Sequence, residues 1–340
     1  MPSGGPSLAL LPLVSCVVLA AILSAALTWV LRPLLMRYAL ARPNARSSHK
    51  LPTPQGAGIA VVGATLTVAT ATILLSRSTS PELPLAIVIA CIFLAAVGAA
   101  DDIRSVPVLP RLLFQAIAVG MIVAVIPSGM QIVPALPLWL ERTLVLIAGL
   151  WFVNLVNFMD GLDWMTVSET VPIAAALVVL GLLGNITPTT TLVAAALGGA
   201  MLGFAPFNRP VAKVFLGDVG SLPIGLLVGW CLLELAYRGQ LVAALILPLY
   251  YLADATVTIL RRLLAGETIW AAHRSHFYQR ATDNGFTVME VVGNVFALNI
   301  VLAALAVAAT AISSPSVQAL LLCAAALATA WIMFRFARQR

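Results

Sequence analysis

Residues 142–165 read RTLVLIAGLWFVNLVNFMDGLDWM. After Arg142 and Thr143 the run is apolar up to Asn154, and it closes on two carboxylates, Asp160 and Asp163, spaced i, i+3. A stretch of this kind crosses a bilayer as a helix. A charge at the bilayer centre costs about 2.5 kcal/mol or more. Acids at the margin of such a run therefore belong at an interface or in a wet cavity, with a chemical task.

The same pattern fills the chain. Of its 340 residues 61% are hydrophobic and only 9% charged, against roughly 25% charged in soluble domains. A soluble globular fold is excluded. The net charge of +6 has no soluble face on which to cluster, so nucleic acid is not an expected partner; basic residues here orient the chain and meet anionic lipid. Breaking the apolar runs at charges and at Pro/Gly clusters gives about eleven spans. They lie near 8–31, 56–75, 84–100, 112–126, 142–159, 171–184, 190–207, 222–236, 241–260, 289–311 and 317–334. With no internal repeat and no low-complexity linker, residues 1–340 read as a single all-α integral membrane domain. The first run is too long for a signal-peptide core and reads as an uncleaved span. Cys16, Cys91, Cys231 and Cys323 sit in apolar runs without C-x-x-C spacing, as packed, inert thiols.

Basic residues set the orientation. Sixteen of the 19 Lys and Arg fall in the odd-numbered loops and the C-terminus, leaving only Arg77, Arg142 and Arg238 in the even-numbered loops. The odd loops and C-terminus are expected in the cytoplasm and the N-terminus outside.

Every polar cluster lies in those odd loops. Loop one carries HKLPTPQGAG (49–58), loop three opens with Asp101 and Asp102, and loop five is NFMDGLDWM (157–165). Loop seven is FNRPVAKVFLGDVGS (207–221), and loop nine holds HRSHFYQR (273–280). A transporter needs polar groups near the midplane and often shows repeat symmetry; here the spans are largely clean, which favours chemistry at the membrane surface. Asp101 and Asp102 follow the end of span three, where the helix dipole disfavours negative charge, so a compensating cation is expected. Asp160 and Asp163 share one helical face if span five continues inward, and Gly161 marks a turn or a close ligand approach. Asp218, flanked by glycines, suits a hard cation beside a phosphate. His273 and His276 have no cysteine or third histidine near them for zinc, and beside Arg274 and Arg280 they suit phosphate contacts. Asp254 lies seven and eight residues before Arg261 and Arg262, two helical turns, which predicts an interfacial ion pair. Several acids, no soft ligands and surrounding cations describe a Mg²⁺–diphosphate site with Mn²⁺ as an allowed substitute. There a water-soluble nucleotide donor meets a lipid phosphate.

In this order and sidedness, the five motifs resemble the polyprenyl-phosphate N-acetylhexosamine-1-phosphate transferases over residues 46–285. The resemblance implies a UDP-N-acetylamino sugar as donor, undecaprenyl phosphate as acceptor, and UMP and a polyprenyl-diphospho-sugar as products. It implies Asp101, Asp102, His273 and His276 as catalytic residues and Asp218, with Asp160, as metal ligands. Lys50, Thr53, Asn157, Asp160, Gly161, Asp163, Asn208, Phe215 and Arg274 are implied in substrate binding, with Phe215 stacking on uracil. It also implies a multi-pass protein of the bacterial inner membrane with its site on the cytoplasmic face, and allows a homodimer. Three departures point away from the muramyl-pentapeptide branch and toward the branch that starts O-antigen or other surface polysaccharides. Trp164 stands where many relatives have glycine, Arg111 where that branch commonly has lysine, and HRSHFYQR replaces a triple-histidine run. The muramyl-pentapeptide transferase remains the near alternative, and a lipid or nucleotide-sugar transporter the alternative of another class. An intramembrane aspartyl protease is disfavoured because 215–218 is not G-x-G-D. A prenyltransferase is disfavoured because 101–105 lacks the last acid of D-D-x-x-D, and a CDP-alcohol phosphotransferase because DGLDWM departs from DGxxAR.

Overall fold

The computed structural model describes residues 10–41, 52–76, 82–268 and 273–340. Its helices are α1 (Leu10–Tyr38), α2 (Gly58–Ser76), α3 (Glu82–Ile103), α4 (Val108–Ala124), α5 (Leu138–Met159), α6 (Met165–Leu182) and α7 (Pro188–Phe204). They continue as α8 (Asp218–Tyr237), α9 (Leu241–Ile246), α10 (Leu249–Leu264), α11 (Phe277–Asp283), α12 (Val288–Thr310) and α13 (Pro315–Ala337). A short antiparallel pair, β1 (Leu40–Ala41) and β2 (Thr53–Pro54), joins α1 to the start of α2.

Each predicted run falls on a helix, and among the described residues nine helices are long and apolar enough to cross a membrane. This is an all-α polytopic membrane protein. The fourth run is the shorter α4, and the ninth is broken between α9 and α10, where Pro248 lacks the N–H to continue the ladder. The expected boundaries need three corrections. Asp101 and Asp102 occupy the last turn of α3 rather than following it. Span six begins at Met165, not near 171, because Thr166, Ser168, Glu169 and Thr170 are buried inside the bundle. Asp160 and Asp163 do not share a helical face: α5 stops at Met159, and Trp164, at φ 63°, holds the turn into α6.

α8 is the most buried of the nine long helices; α1 and α13 are among the least. Around α8 pack α2, α3, α5 and α9. Without hydrophobic drive between helices in lipid, close backbone approach matters, and glycines provide it. A Cβ on Gly58 would lie 2.2 Å from the Gly220 Cα, locking the start of α2 to the start of α8. Gly199 and Gly203, one turn apart on α7, meet the α1 carbonyls of Val17 and Ala21 in the same way. Large apolar side chains such as Leu11, Trp29, Leu75 and Leu264 cover the outside, as a lipid-facing surface requires. Two of the three outlying cations have local partners: Arg142 donates to Tyr237 Oη (2.7 Å) and Arg238 to Glu234 (3.2 Å).

Candidate active site

The C-terminal ends of α3 and α5 meet the N-terminal ends of α2, α6 and α8 at one end of the bundle. Two carboxylates in the last turn of α3 face an unfavourable dipole, and each is compensated differently. Asp102 reaches across to α8, accepting the backbone N–H of Asp218 at Oδ1 (2.9 Å) and of Val219 at Oδ2 (3.1 Å). It thereby satisfies two of the orphan donors of that helix. Gly217 makes room: its φ is 76°, and a Cβ there would sit 2.5 Å from Asp102 Oδ2. Asp101 instead accepts from Val106 N–H (2.6 Å) and from Arg111 Nη1 (2.8 Å). The compensating cation expected for the pair is therefore Arg111, and it serves Asp101.

Arg111 Nη1 also lies 3.9 Å from Asp218 Oδ2, while Asn157 Nδ2 donates to Asp218 Oδ1 (2.7 Å) and to Ser221 Oγ (2.9 Å). The carboxyls of Asp101 and Asp218 lie within hydrogen-bonding reach of each other. Two carboxyls that close favour a shared proton or a shared cation. Among the described residues no three His, Cys, Asp or Glu side chains form a closed metal cage. Magnesium, however, is usually held by one or two carboxylates, with waters and substrate phosphates completing the octahedron. An oxygen-only pair beside an arginine fits that ion.

Loop five supplies the next wall. Asp160 caps the end of α5, and the Thr166 hydroxyl donates to its Oδ1. Desolvation in this crevice, reinforced by the charges of Asp102 and Asp163 and opposed by the Thr166 bond, pushes the Asp160 carboxyl up to about 7. Asp163 is buried and its Oδ2 accepts the Ala212 N–H (2.9 Å). Asn208 accepts the Trp164 N–H (2.8 Å) and donates to the Val214 carbonyl (3.0 Å). The Trp164 indole N–H donates to the Ala205 carbonyl (2.6 Å). These bonds knit loop five to loop seven. The left-handed backbone at Trp164 is one that only glycine adopts without a Cβ penalty.

Loop one joins through the backbone of half-buried Phe215. Its N–H donates to the Pro54 carbonyl (2.8 Å), and its carbonyl accepts from Gly56 (3.1 Å) and Ala57 (3.0 Å). Gln55 Nε2 then donates to the Asp102 carbonyl (3.0 Å). Thr53 is buried in β2. Lys50 lies outside the described residues.

Loop nine comes last. His276 is buried, with ring centroids 5.0 Å from His273, 5.8 Å from Tyr278 and 6.4 Å from Phe158. Tyr278 Oη donates to the Phe158 carbonyl (2.9 Å) and fills the space over Gly161. His273 Nδ1 meets Ser275 Oγ (2.9 Å). Arg274 binds Thr282 (2.8 Å) and Asp283 (3.3 Å) of α11. The predicted ion pair of Asp254 with Arg261 or Arg262 does not form. Arg262 turns to Glu267 (2.7 Å) and the Thr268 carbonyl (2.9 Å), and Arg261 lies over the Phe277 ring. Asp254 is fully buried and accepts from loop nine instead, whereas the long arginines extend to the helix end.

The structure thus brings Asp101, Asp102, Asn157, Asp160 and Asp218 together, ties Asp163, Asn208 and Phe215 into the connecting loops, and sets His276 beside loop five. Arg111, Gln55, Thr166, Ser221 and Tyr278 join them without having been named as site residues. Arg111 stood out in the sequence only as an odd-loop cation and as a departure from the lysine of the muramyl-pentapeptide branch; the others read as ordinary loop or helix residues because their partners are remote in sequence.

Residues 84–236, which hold all the acids of the pocket, match the family model described as glycosyl transferase family 4. The chain is 29% identical over 305 residues to the decaprenyl-phosphate N-acetylglucosaminephosphotransferase of Mycolicibacterium smegmatis, covering 78% of this chain and 74% of that protein. It is 24% identical over 307 residues to the probable undecaprenyl-phosphate N-acetylglucosaminyl 1-phosphate transferase of Bacillus subtilis, covering 83% and 84%. A shorter match, 33% over 123 residues and 36% and 37% of the two chains, is to the phospho-N-acetylmuramoyl-pentapeptide-transferase of Limosilactobacillus fermentum. The chain is thus similar to glycosyl transferase family 4 over residues 84–236 and, over most of its length, to polyprenyl-phosphate N-acetylglucosamine phosphotransferases.

Proposed function

We propose that the protein transfers an N-acetylhexosamine 1-phosphate, N-acetylglucosamine 1-phosphate first among candidates, from its UDP derivative to undecaprenyl phosphate. The reaction would start an O-antigen or another surface polysaccharide at the cytoplasmic face of the inner membrane. The observation that carries the reading is the meeting of Asp101, Asp218 and Arg111 at the bundle end where α3, α5 and α8 converge. Relatives spanning most of the chain are named for N-acetylglucosamine transfer to a polyprenyl phosphate. The concentration of Lys and Arg in the odd loops supports the cytoplasmic placement.

In this reading an oxygen of the lipid phosphate attacks the β-phosphorus of the UDP-sugar. The bond from that phosphorus to the bridging oxygen breaks, UMP leaves, and the lipid-diphospho-sugar remains. Asp218 and Asp101 would hold magnesium, whose chemistry is to neutralise charge across the diphosphate. Arg111, beside both acids, adds a fixed positive charge facing the transferred phosphoryl group. Asn157 holds Asp218 in one orientation. Both oxygens of Asp102 are occupied by backbone donors, which supports a role in fixing the start of α8 over one as an attacking group, and favours a single displacement.

The test is purified protein in bilayer nanodiscs with undecaprenyl phosphate, Mg²⁺ and a panel of UDP-N-acetylhexosamines alongside UDP-MurNAc-pentapeptide. UMP release with formation of lipid-diphospho-N-acetylhexosamine supports the proposal. Turnover of the pentapeptide donor alone, or of no donor, overturns it.

A further inference from the structure

The buried acid of α10 is not needed for the ion pair its spacing predicted, and it contacts none of the carboxylates of the pocket. Asp254 is wholly inaccessible, yet five donors converge on it. Oδ1 receives the Phe277 N–H (2.9 Å), the Thr258 hydroxyl (3.3 Å) and His276 Nδ1 (3.3 Å); Oδ2 receives the Tyr278 N–H (3.1 Å) and the Tyr250 hydroxyl (3.1 Å). An ionised carboxylate offers about four acceptor sites, so this one is saturated. Two of its donors are the first free N–H groups of α11, and a third is the histidine immediately before that helix. Because a carboxylate only accepts, its contact with Nδ1 fixes a proton there and turns Nε2 away from Asp254.

We infer that Asp254 is the positioning residue of loop nine, setting the tautomer and orientation of His276 and docking α11 against the acidic loop. The second half of that statement follows the chain. Tyr278, whose N–H Asp254 holds, donates its hydroxyl to the Phe158 carbonyl two residues before Asp160 and covers Gly161. One buried carboxylate on a broken membrane helix thereby holds the two loop-nine residues, His276 and Tyr278, that lie against Phe158 of loop five. Tyr250 and Thr258, one turn to either side on α10, hold the carboxylate from its own helix.

This inference rests on the proposed transfer only for its kinetic arm, so the test has two. The first needs no activity. The chain has only 3 histidines, so ¹⁵N-histidine-labelled protein in bilayers gives a spectrum of three rings, with His276 assigned by its loss in His276→Gln. The wild-type His276 ring should carry its proton on Nδ1, and Asp254→Asn should remove that preference in a protein that still folds and inserts, with a lowered thermal unfolding midpoint because buried donors lose an acceptor. A wild-type ring protonated on Nε2, or a spectrum unchanged in Asp254→Asn, overturns the inference. The second arm is kinetic. Asp254→Asn should lower kcat about 10- to 100-fold, the usual effect of losing an orienting partner, with KM for the UDP-sugar changed by less than about threefold. In a His276→Gln background the same substitution should cost less than about threefold more, since the two act as one unit. Full additivity of the two losses overturns the inference. Absence of UMP release from wild type would instead count against the proposed function, and the spectroscopic arm would still decide the role of Asp254.

Discussion

Asp102 closes the start of the helix that begins with Asp218: its two oxygens take the N–H groups of Asp218 and Val219 at 2.9 and 3.1 Å. The last turn of α3 and the first turn of α8 therefore meet head to tail. The unfavourable dipole at one helix end and the unsatisfied donors at the other cancel. Asp218 is left with its side chain aimed at Asn157 on one side and Arg111 on the other.

That junction depends on Gly217. Alanine there meets a left-handed backbone, costing about 1–2 kcal/mol, and places a methyl 2.5 Å from Asp102 Oδ2. Gly217→Ala should reduce UMP release more than about 100-fold, equivalent to about 2.7 kcal/mol, while the protein still inserts and purifies. Activity within about threefold of wild type would show that the Asp102 contact tolerates displacement.

Arg111 carries charge to two acids through one nitrogen. Arg111→Lys keeps the charge but not the planar fork and should retain measurable turnover, reduced about tenfold. Arg111→Met, which leaves the Asp101 and Asp218 carboxyls without their cation, should lose more than about a thousandfold, or about 4 kcal/mol of barrier. Initial rates of UMP release across the two variants check the order.

Trp164 offers a stability test separate from catalysis. Its indole N–H bond to Ala205 and its packing against the core offset the left-handed backbone. Trp164→Ala loses these and keeps the strain; Trp164→Gly loses them and relieves it. Both variants should unfold below wild type, with glycine above alanine by about 1 kcal/mol. Thermal unfolding in one detergent measures both.

Asp160 gives a pH signature. With its native carboxyl at about 7 and an unfolded value near 3.9, the folded chain binds the extra proton between these limits. Stability therefore falls as pH rises through that window and levels off above it. Without divalent cation, wild type should lose thermal stability from about pH 5 to about pH 7.5 more steeply than Asp160→Asn. Equal slopes would contradict the shifted carboxyl.

How much of this was legible in the sequence depends on the kind of information involved. Hydrocarbon thickness imposes a length, so every apolar run could be located. What hid the start of α6 was burial of polar groups. Glu169 reads as a break in hydropathy, but in the fold it accepts from Asn299 of α12 (2.6 Å) inside the bundle. The break at Pro248 hid for the opposite reason, being apolar on both sides. The acids were found because charge beside hydrocarbon is conspicuous. Their partners were not, since Gln55, Arg111 and Ser221 gain meaning only from contacts across the fold. Asp254 shows the limit of spacing arguments: helical periodicity put it on the face of Arg261 and Arg262, while full burial gave it to loop nine.

The most direct test loads the protein with Mn²⁺ in place of magnesium and reads phosphorus hyperfine coupling by pulsed electron paramagnetic resonance on adding UDP-N-acetylglucosamine. A single site coupled to the ³¹P nuclei of the diphosphate, lost in Asp218→Asn, is the predicted result. Bound Mn²⁺ that shows no phosphorus coupling, or that survives Asp218→Asn unchanged, would contradict a shared acidic site for ion and donor.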